Sequence, residues 1–225
     1  ALKNRIEYIL VDRNEGMINL QKEKIKFSKE IKIRWATIDE LIESPVTGIV
    51  IANEVLDALP VERFIIRNKE FFRQGVALKN KNGDFFLELN NLPLSVELSD
   101  FLASSEAVIN MKIPVKSFPE GWSSEWHCNL DSWFDKTSKI LKKGPLLIID
   151  YLLESNRYYN AFRSSGTLLS YHSQKVNQNI LGNPGYSDLT AHLCLESLLF
   201  YASKNGWNLV GETRQGQALL ALGLA

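Results

Sequence analysis

Four apolar runs in this chain lead into an acidic or amide side chain. Ile6 to Val11 meets Asp12, Ile31 to Ala36 is followed by Asp39, Gly48 to Ala52 ends in Asn53-Glu54, and Leu146 to Ile149 meets Asp150. Short apolar runs separated by stretches with helical spacing read as strands alternating with helices. This implies βαβ units, right-handed crossovers and a mostly parallel sheet with helices on both faces. Ligands of such sheets bind outside the carboxyl ends of the strands, so the pattern puts four polar groups along one functional edge. After the second strand of a nucleotide-binding fold, a carboxylate accepts both hydroxyl protons of a ribose. Asp12 either does this or caps the helix that starts near Glu15. No glycine precedes the Asp12 strand, whereas the glycine-rich turn of these folds lies about 20 residues before that acid. The chain is therefore expected to begin beyond that turn, to bind its cofactor weakly or not at all, and to leave a sheet edge free for homo-oligomeric association.

The 225 residues are 45% hydrophobic and carry 26 basic and 26 acidic side chains, as suits a soluble globule with no single-sign surface field. Neither nucleic acid nor membrane is an expected partner. The N-terminal lysines lie mostly on one helix, Glu15 to Phe27, and read as a solvated face. No apolar run approaches the roughly 18 residues of a membrane span. Cys128 and Cys194 are too few for a disulfide framework, which favours free thiols and a reducing, cytoplasmic setting, with any targeting segment upstream of Ala1.

Along the chain, Met17, Ile18, Leu20 and Ile25 form the expected buried side of the first helix, and Gly48 to Asn53 a strand covered on both faces. From Glu62 to Leu89, three apolar stretches separated by Asn68-Lys69 and Asn82-Gly83 predict an antiparallel insertion. Ser95 to Ala107 reads as a helix. Within a single 1–225 domain, residues 62–121 form an insertion or a cap over the sheet edge. Trp126, Leu130, Trp133, Phe134 and Leu141 recur at helical spacing, with a stop at Gly144-Pro145, and their aromatics read as core. Leu195, Leu198, Leu199 and Ala202 mark a last helix ending at Gly206. Asn208 to Thr213 and Gln217 to Leu224 read as a closing antiparallel strand pair.

The octet Asn53-Glu54-Val55-Leu56-Asp57-Ala58-Leu59-Pro60 is the most distinctive segment. On a helical turn, Glu54 and Asp57 project from one face beside a buried strand end. Such a pair holds a cationic or amine substrate, or shifts the proton affinity of each partner, or merely favours the helix N-terminus.

IANEVLDALPVERF resembles the corresponding segment of the MidA family of S-adenosylmethionine-dependent methyltransferases, a family that includes the mitochondrial complex I assembly methyltransferase. PEGWSSE (119–125), LLIIDY (146–151), GTLLSYH (166–172), NPGYSDLTAHL (183–193) and QGQALLALGL near the end extend the resemblance in order and spacing. The resemblance implies a class I, Rossmann-like α/β fold, here N-terminally truncated and lacking the family's glycine-rich motif. It also implies S-adenosylmethionine as cofactor and a protein substrate, with arginine as the suspected acceptor. Asp12 takes the place of the ribose-binding acid, Trp35 that of the third-strand tryptophan, and Asn53, Glu54 and Asp57 match the octet. The family's Asp-Tyr-Gly reads Asp150-Tyr151-Leu152 here, and its Val-Asp-Phe reads Leu193-Cys194-Leu195. A tight turn at 152 and an acid at 194 are therefore not expected.

Together these readings assign Asp12, Trp35, Asp39 and Asn53 to cofactor binding and Glu54, Asp57, His172, Asp188 and His192 to catalysis, with no metal. A guanidinium acceptor needs carboxylates to hold and orient it, and His172, Asp188 or His192 would take the released proton. A noncatalytic assembly factor on the same fold is the alternative reading. A dinucleotide-dependent oxidoreductase follows from fold alone.

Overall fold

The computed structural model describes residues 6–25, 32–177 and 179–224. In chain order the elements are β1 (Glu7–Val11), α1 (Glu15–Lys24), β2 (Lys32–Ala36), α2 (Ile38–Glu43), β3 (Val46–Thr47), β4 (Val50–Asn53), β5 (Glu62–Arg67), β6 (Glu70–Lys81) and β7 (Asp84–Leu92). There follow α3 (Val96–Ala103), α4 (Ser105–Ile109), β8 (Ser123–Trp126), α5 (Leu130–Ile140), β9 (Leu141–Lys143), β10 (Leu146–Ile149), β11 (Leu152–Leu153) and α6 (Ser155–Tyr158). The last are β12 (Leu169–His172), β13 (Lys175–Asn177), β14 (Asp188–Thr190), β15 (Leu193–Cys194), α7 (Leu195–Lys204) and α8 (Gln215–Ala221). Two compact units result, residues 1–50 with 135–145, and residues 51–134 with 146–225.

In the first unit, β1 and β2 pair in parallel from Glu7↔Lys32 to Val11↔Ala36. Glu7 bridges Lys32 at 2.7 Å and Arg34 at 3.2 Å, and this cation pair lowers its pKa. A small core joins Ala36, Leu41 and Ile140 with Ile9, Ile38, Ile42, Val46 and Val50. This core does not include α1, so Met17 and Leu20, expected to be buried, are exposed. The helix ends at Lys24 rather than Phe27. Phe27, and Ile31 at the start of the expected second strand, lie outside the described residues.

The second unit holds the larger core. Its four-stranded sheet, in the order β7-β6-β5-β8, is antiparallel throughout. The expected hairpins are present. Asn68-Lys69 and Asn82-Gly83 both have positive φ, the two-residue turn whose twist matches antiparallel strands. Phe64 on β5 is fully buried among the rings of Phe71, Phe101, Trp122 and Tyr159. Burying a side chain of this size contributes roughly 1.5–3 kcal/mol. The region read as one helix forms two, and α3 and α4 add Leu98, Phe101, Val108 and Ile109 to this core.

Several local expectations change. Trp126 lies in β8 opposite Glu62, because strand pairing overrides the helical spacing, although the aromatics are core as read. The chain leaves α5 at Ile140, and Leu141–Lys143 pairs with β3 instead of extending the helix. β4 is not covered on both faces: Ala52 is buried while Ile49 and Ile51 are exposed, the alternation of a half-covered strand. It pairs with β10, and since Val50 and Glu54 N–H groups reach Pro145 and Ile149 carbonyls, the two strands run parallel.

The polar stretch before α7 contains an unanticipated three-stranded antiparallel sheet, β13-β12-β14. The closing strand pair is absent. Residues 208–213 have no regular structure and Gln215–Ala221 is helical with no buried residue. Alanine and leucine are strong helix formers, and a helix satisfies its own backbone hydrogen bonds.

Gly144, at φ +140, turns the chain between β9 and β10, and a Cβ there would overlap the Gly48 carbonyl. Gly144→Ala is expected to cost about 2–4 kcal/mol, read as a lowered urea midpoint with unchanged slope.

Candidate active site

The first unit supplies a polar line at the end of β1. Asn14, not Asp12, is the N-cap of α1, accepting the Met17 N–H, so the capping role foreseen for Asp12 is filled by its neighbour. Asp12 accepts the Asn14 N–H at 2.9 Å through Oδ1 and Gln21 Nε2 at 3.2 Å through Oδ2. Gln21 in turn accepts Trp35 Nε1–H at 2.9 Å, and Lys22 Nζ lies 5.5 Å from the Trp35 ring centre. Each Asp12 oxygen has one of its two lone pairs occupied, leaving one on each for a vicinal diol. Two such acceptors fit the paired hydroxyls of a ribose. Asp39 is exposed in the first turn of α2, beside the Thr37–Glu40 capping box.

The second unit holds the remaining strand-end groups, Asn53-Glu54 and Asp150. Asn53 is the exposed last residue of β4, and Glu54 follows at φ +48. That left-handed residue prevents the helical turn expected over Glu54 to Asp57. Instead Asp150, just past β10, accepts the Leu56 and Asp57 N–H groups at 3.1 and 3.3 Å through one oxygen and the Tyr151 N–H at 2.8 Å through the other. The octet is thus a loop pinned by the neighbouring strand end. Asp57 is buried, 5% exposed, with Oδ1 lacking a hydrogen-bond partner. Burial first, then the charges of Asp150 and Glu54, raise its pKa to about 6. Three carboxylates meet here, and among the described residues no lysine or arginine forms an ion pair with them.

An aromatic and a histidine adjoin the acids. Tyr151 Oη donates to Glu54 at 3.3 Å, and its ring stacks on His192 with centres 5.8 Å apart. Burial, then the charge of Arg163, lowers the His192 pKa against the opposing pull of Asp150, which favours the neutral imidazole. Its Nδ1 is buried without a partner.

A buried chain holds His192. Its N–H donates to Thr167 Oγ1 at 3.1 Å, and the Thr167 N–H donates at 2.9 Å to Glu125, a fully buried carboxylate. Gly166, at φ +73, lets the backbone pass this carboxylate, which any Cβ would strike. Ala191 N–H donates to the Asp57 carbonyl, fixing the neighbouring backbone to the octet.

Of the expected catalytic residues, Glu54, Asp57 and His192 come together, whereas His172 and Asp188 lie on the exposed β12–β14 sheet. His172 Nδ1 is 2.6 Å from the Tyr186 carbonyl, so it must donate, and this contact anchors a loop. Sequence reading placed Asp150 at the edge but missed its bridging role, and it missed Tyr151, Thr167 and Glu125 as site residues. Glu125 and Thr167 sit inside PEGWSSE and GTLLSYH, whose pairing across 42 positions no local pattern reveals. Cys128 and Cys194 are free thiols, no described helix is long and apolar enough to cross a membrane, and no cluster among the described residues is arranged to hold a metal ion.

The Asp57 value implies a defined pH effect. Its folded pKa of about 6 exceeds the ordinary 3.8, so the folded state binds the proton more tightly and ionisation costs stability. That cost is complete above pH 6 and absent below 3.8. Asp57→Asn should therefore stabilise the protein at pH 7.5 by on the order of 1–3 kcal/mol, the gain shrinking as pH falls through 6. Chemical denaturation across pH 5 to 8 checks this, and a pH-independent difference would contradict it. His127, 4% exposed, has a pKa lowered by burial from 6.5 to about 4. Its neutral form supports the fold above pH 6.5 and this support is lost toward 4, so His127→Gln should flatten that acid limb of the stability profile.

Comparison with known proteins gives this geometry a family. A family model described as "Putative S-adenosyl-L-methionine-dependent methyltransferase" matches residues 1–213. Among solved structures, a COG1565 superfamily member from Burkholderia thailandensis bound to S-adenosyl-homocysteine superposes with a TM-score of 0.77 at 25% identity, over 97% of this chain and 53% of that one. A COG1565 superfamily protein from the same organism, in a native crystal structure, gives 0.79 at 24% identity, over 97% and 55%. This chain thus spans about half the length of the solved structures it matches. No curated protein matches it at a significant level. With nearly its whole length covered by the family model, the chain belongs to this family of S-adenosyl-L-methionine-dependent methyltransferases.

Proposed function

We propose that the chain is the catalytic part of a class I, MidA-type methyltransferase that transfers the methyl of S-adenosylmethionine to a nitrogen of a protein side chain, arginine foremost. The observation that carries this reading is the unpaired, buried carboxylate of Asp57 beside Glu54 and Asp150. Three acids without a cation are unfavourable on their own and become favourable when a planar cation arrives, since guanidinium offers parallel N–H donors to carboxylates. The structural neighbour that holds S-adenosyl-homocysteine supports a donor of the same type here.

When bound, S-adenosylmethionine supplies an electrophilic methyl group. Asp12 holds the ribose through its two free lone pairs, and Trp35 keeps Gln21, and through it Asp12, oriented. In this reading Asp39 and Asn53 remain the other cofactor-binding candidates. Asp57 and Glu54 hold the acceptor guanidinium and fix the orientation of its nitrogens, since methyl transfer is mainly an alignment problem. Asp57, with a pKa of about 6, and the neutral imidazole of His192 are the groups able to accept the proton that nitrogen loses. Tyr151 holds Glu54 by its hydroxyl and shields His192 by its ring.

Incubation of the protein with radiolabelled donor and candidate substrate proteins, followed by mass-spectrometric mapping, should find label on arginine nitrogens. Asp57→Asn should lower turnover by roughly 10²-fold or more while leaving donor affinity within about twofold. Asp12→Ala should weaken donor binding by about tenfold or more in calorimetry. Donor binding without transfer to any substrate would favour the noncatalytic assembly role.

A further inference from the structure

A second surface lies beside this acidic site and has the opposite charge. Residues 157–166 form a shallow concavity of about 560 Å³ lined by Arg157, Asn160, Phe162, Arg163, Ser164 and Ser165. Its shape is built, not incidental. Trp122 Nε1–H donates to the Asn160 carbonyl, the Phe162 N–H donates to Asn160 Oδ1, and Arg163 Nε donates to the Arg157 carbonyl. Arg63 Nη2 ties the Ser165 carbonyl to the rim of the core. These bonds fix the loop backbone and the Arg163 guanidinium, and the depression is lined as well by Arg157, Ser164 and Ser165. Phe162 stands 99% exposed among them. An aromatic ring held fully in water on a hydrogen-bonded loop has no role in the core, and rings of this kind anchor partner chains.

The loop is also joined to the acceptor site. Gly166 closes the concavity and Thr167, the next residue, accepts the backbone N–H of His192. Arg163 is close enough for its charge to act on the His192 imidazole. A substrate chain whose cationic residue enters the acid cluster therefore has its flanking residues near this loop.

Building on the acceptor assignment above, we propose that residues 157–166 are a substrate-docking surface that selects a polypeptide carrying acidic residues and an apolar or aromatic residue next to the methylated arginine. Arg157 and Arg163 receive the carboxylates, Ser164 and Ser165 add hydroxyl donors, and Phe162 packs against the apolar side chain. The two sites together require a charge pattern, cation beside anion, that neither requires alone. A purely basic tail is repelled at the loop, and a purely acidic one is repelled at Asp57.

Fluorescence anisotropy with short labelled peptides tests this without needing turnover. One peptide carries arginine with flanking glutamates and a leucine, a second replaces the glutamates by serine, a third keeps them but replaces arginine by glutamine, and a single-stranded RNA is the fourth probe. The first peptide should bind about five- to tenfold more tightly than the second. Arg157→Glu should weaken the first by a similar factor and leave the second unchanged, whereas Phe162→Ala should weaken both, since both carry the leucine. Neither side chain is buried, so a folding defect will not confound both. Equal binding of the first two peptides, or insensitivity to both variants, would overturn the docking surface while leaving the acceptor assignment standing. If the third peptide instead binds as well as the first, still needs Arg157 and Phe162, and ignores Asp57→Asn, the docking surface is upheld and the acceptor assignment fails. RNA binding tighter than the first peptide and lost in Arg157→Glu would also overturn the proposal.

Discussion

The carboxylate of Glu125 organises the larger unit. It is fully buried on β8, lies 3.3 Å from Arg63 Nε without hydrogen-bond alignment, and accepts the Thr167 N–H. Burial pushes its pKa up, and the Arg63 charge pulls the other way. Desolvating such a pair costs several kcal/mol per ion, so the arrangement earns little stability by itself. What it provides is position. Arg63 reaches Ser123 and the Ser165 carbonyl, Thr167 passes the constraint to His192, and the Tyr159 hydroxyl donates to the Glu125 carbonyl. One buried acid thereby fixes the 157–166 loop through Arg63 and the His192 backbone through Thr167.

Local backbone chemistry completes the site. Glu54 occupies a left-handed conformation that a non-glycine side chain adopts at some cost, and Asp150 compensates by accepting the Leu56 and Asp57 N–H groups of the octet along with that of Tyr151. Asp57 is thereby held where its charge is least comfortable. An enzyme that binds a cation gains from such a group, because the unfavourable energy of the empty site is released when the ligand arrives. The stability gain expected on neutralising Asp57 and the activity loss expected from the same change are two results of one placement.

Much of this was legible in the sequence. The strand ends at Asp12, Asn53 and Asp150, the hairpin turns at Asn68-Lys69 and Asn82-Gly83, and the α7 stop at Gly206 all stand where period and turn chemistry put them. Errors arose where tertiary contacts decide. Trp126 obeys a helical spacing yet pairs as a strand, and Met17 and Leu20 obey an amphipathic one yet are exposed in their unit. Glu54 and Asp57 were read onto a helix because nothing in the octet announces a positive φ at a glutamate. Thr167 and Glu125 meet only through folding, and the exposure of Phe162 is invisible in a string of letters.

The central claim is that Asp57 is a buried carboxylate kept ready for a cation. Carbon-13 NMR of selectively labelled aspartate, titrated with and without methylguanidinium, tests it most directly. Asp57 should titrate at about 6 in the free protein and fall clearly on saturation with the cation. A value near the ordinary 3.8, unchanged by methylguanidinium, would contradict it.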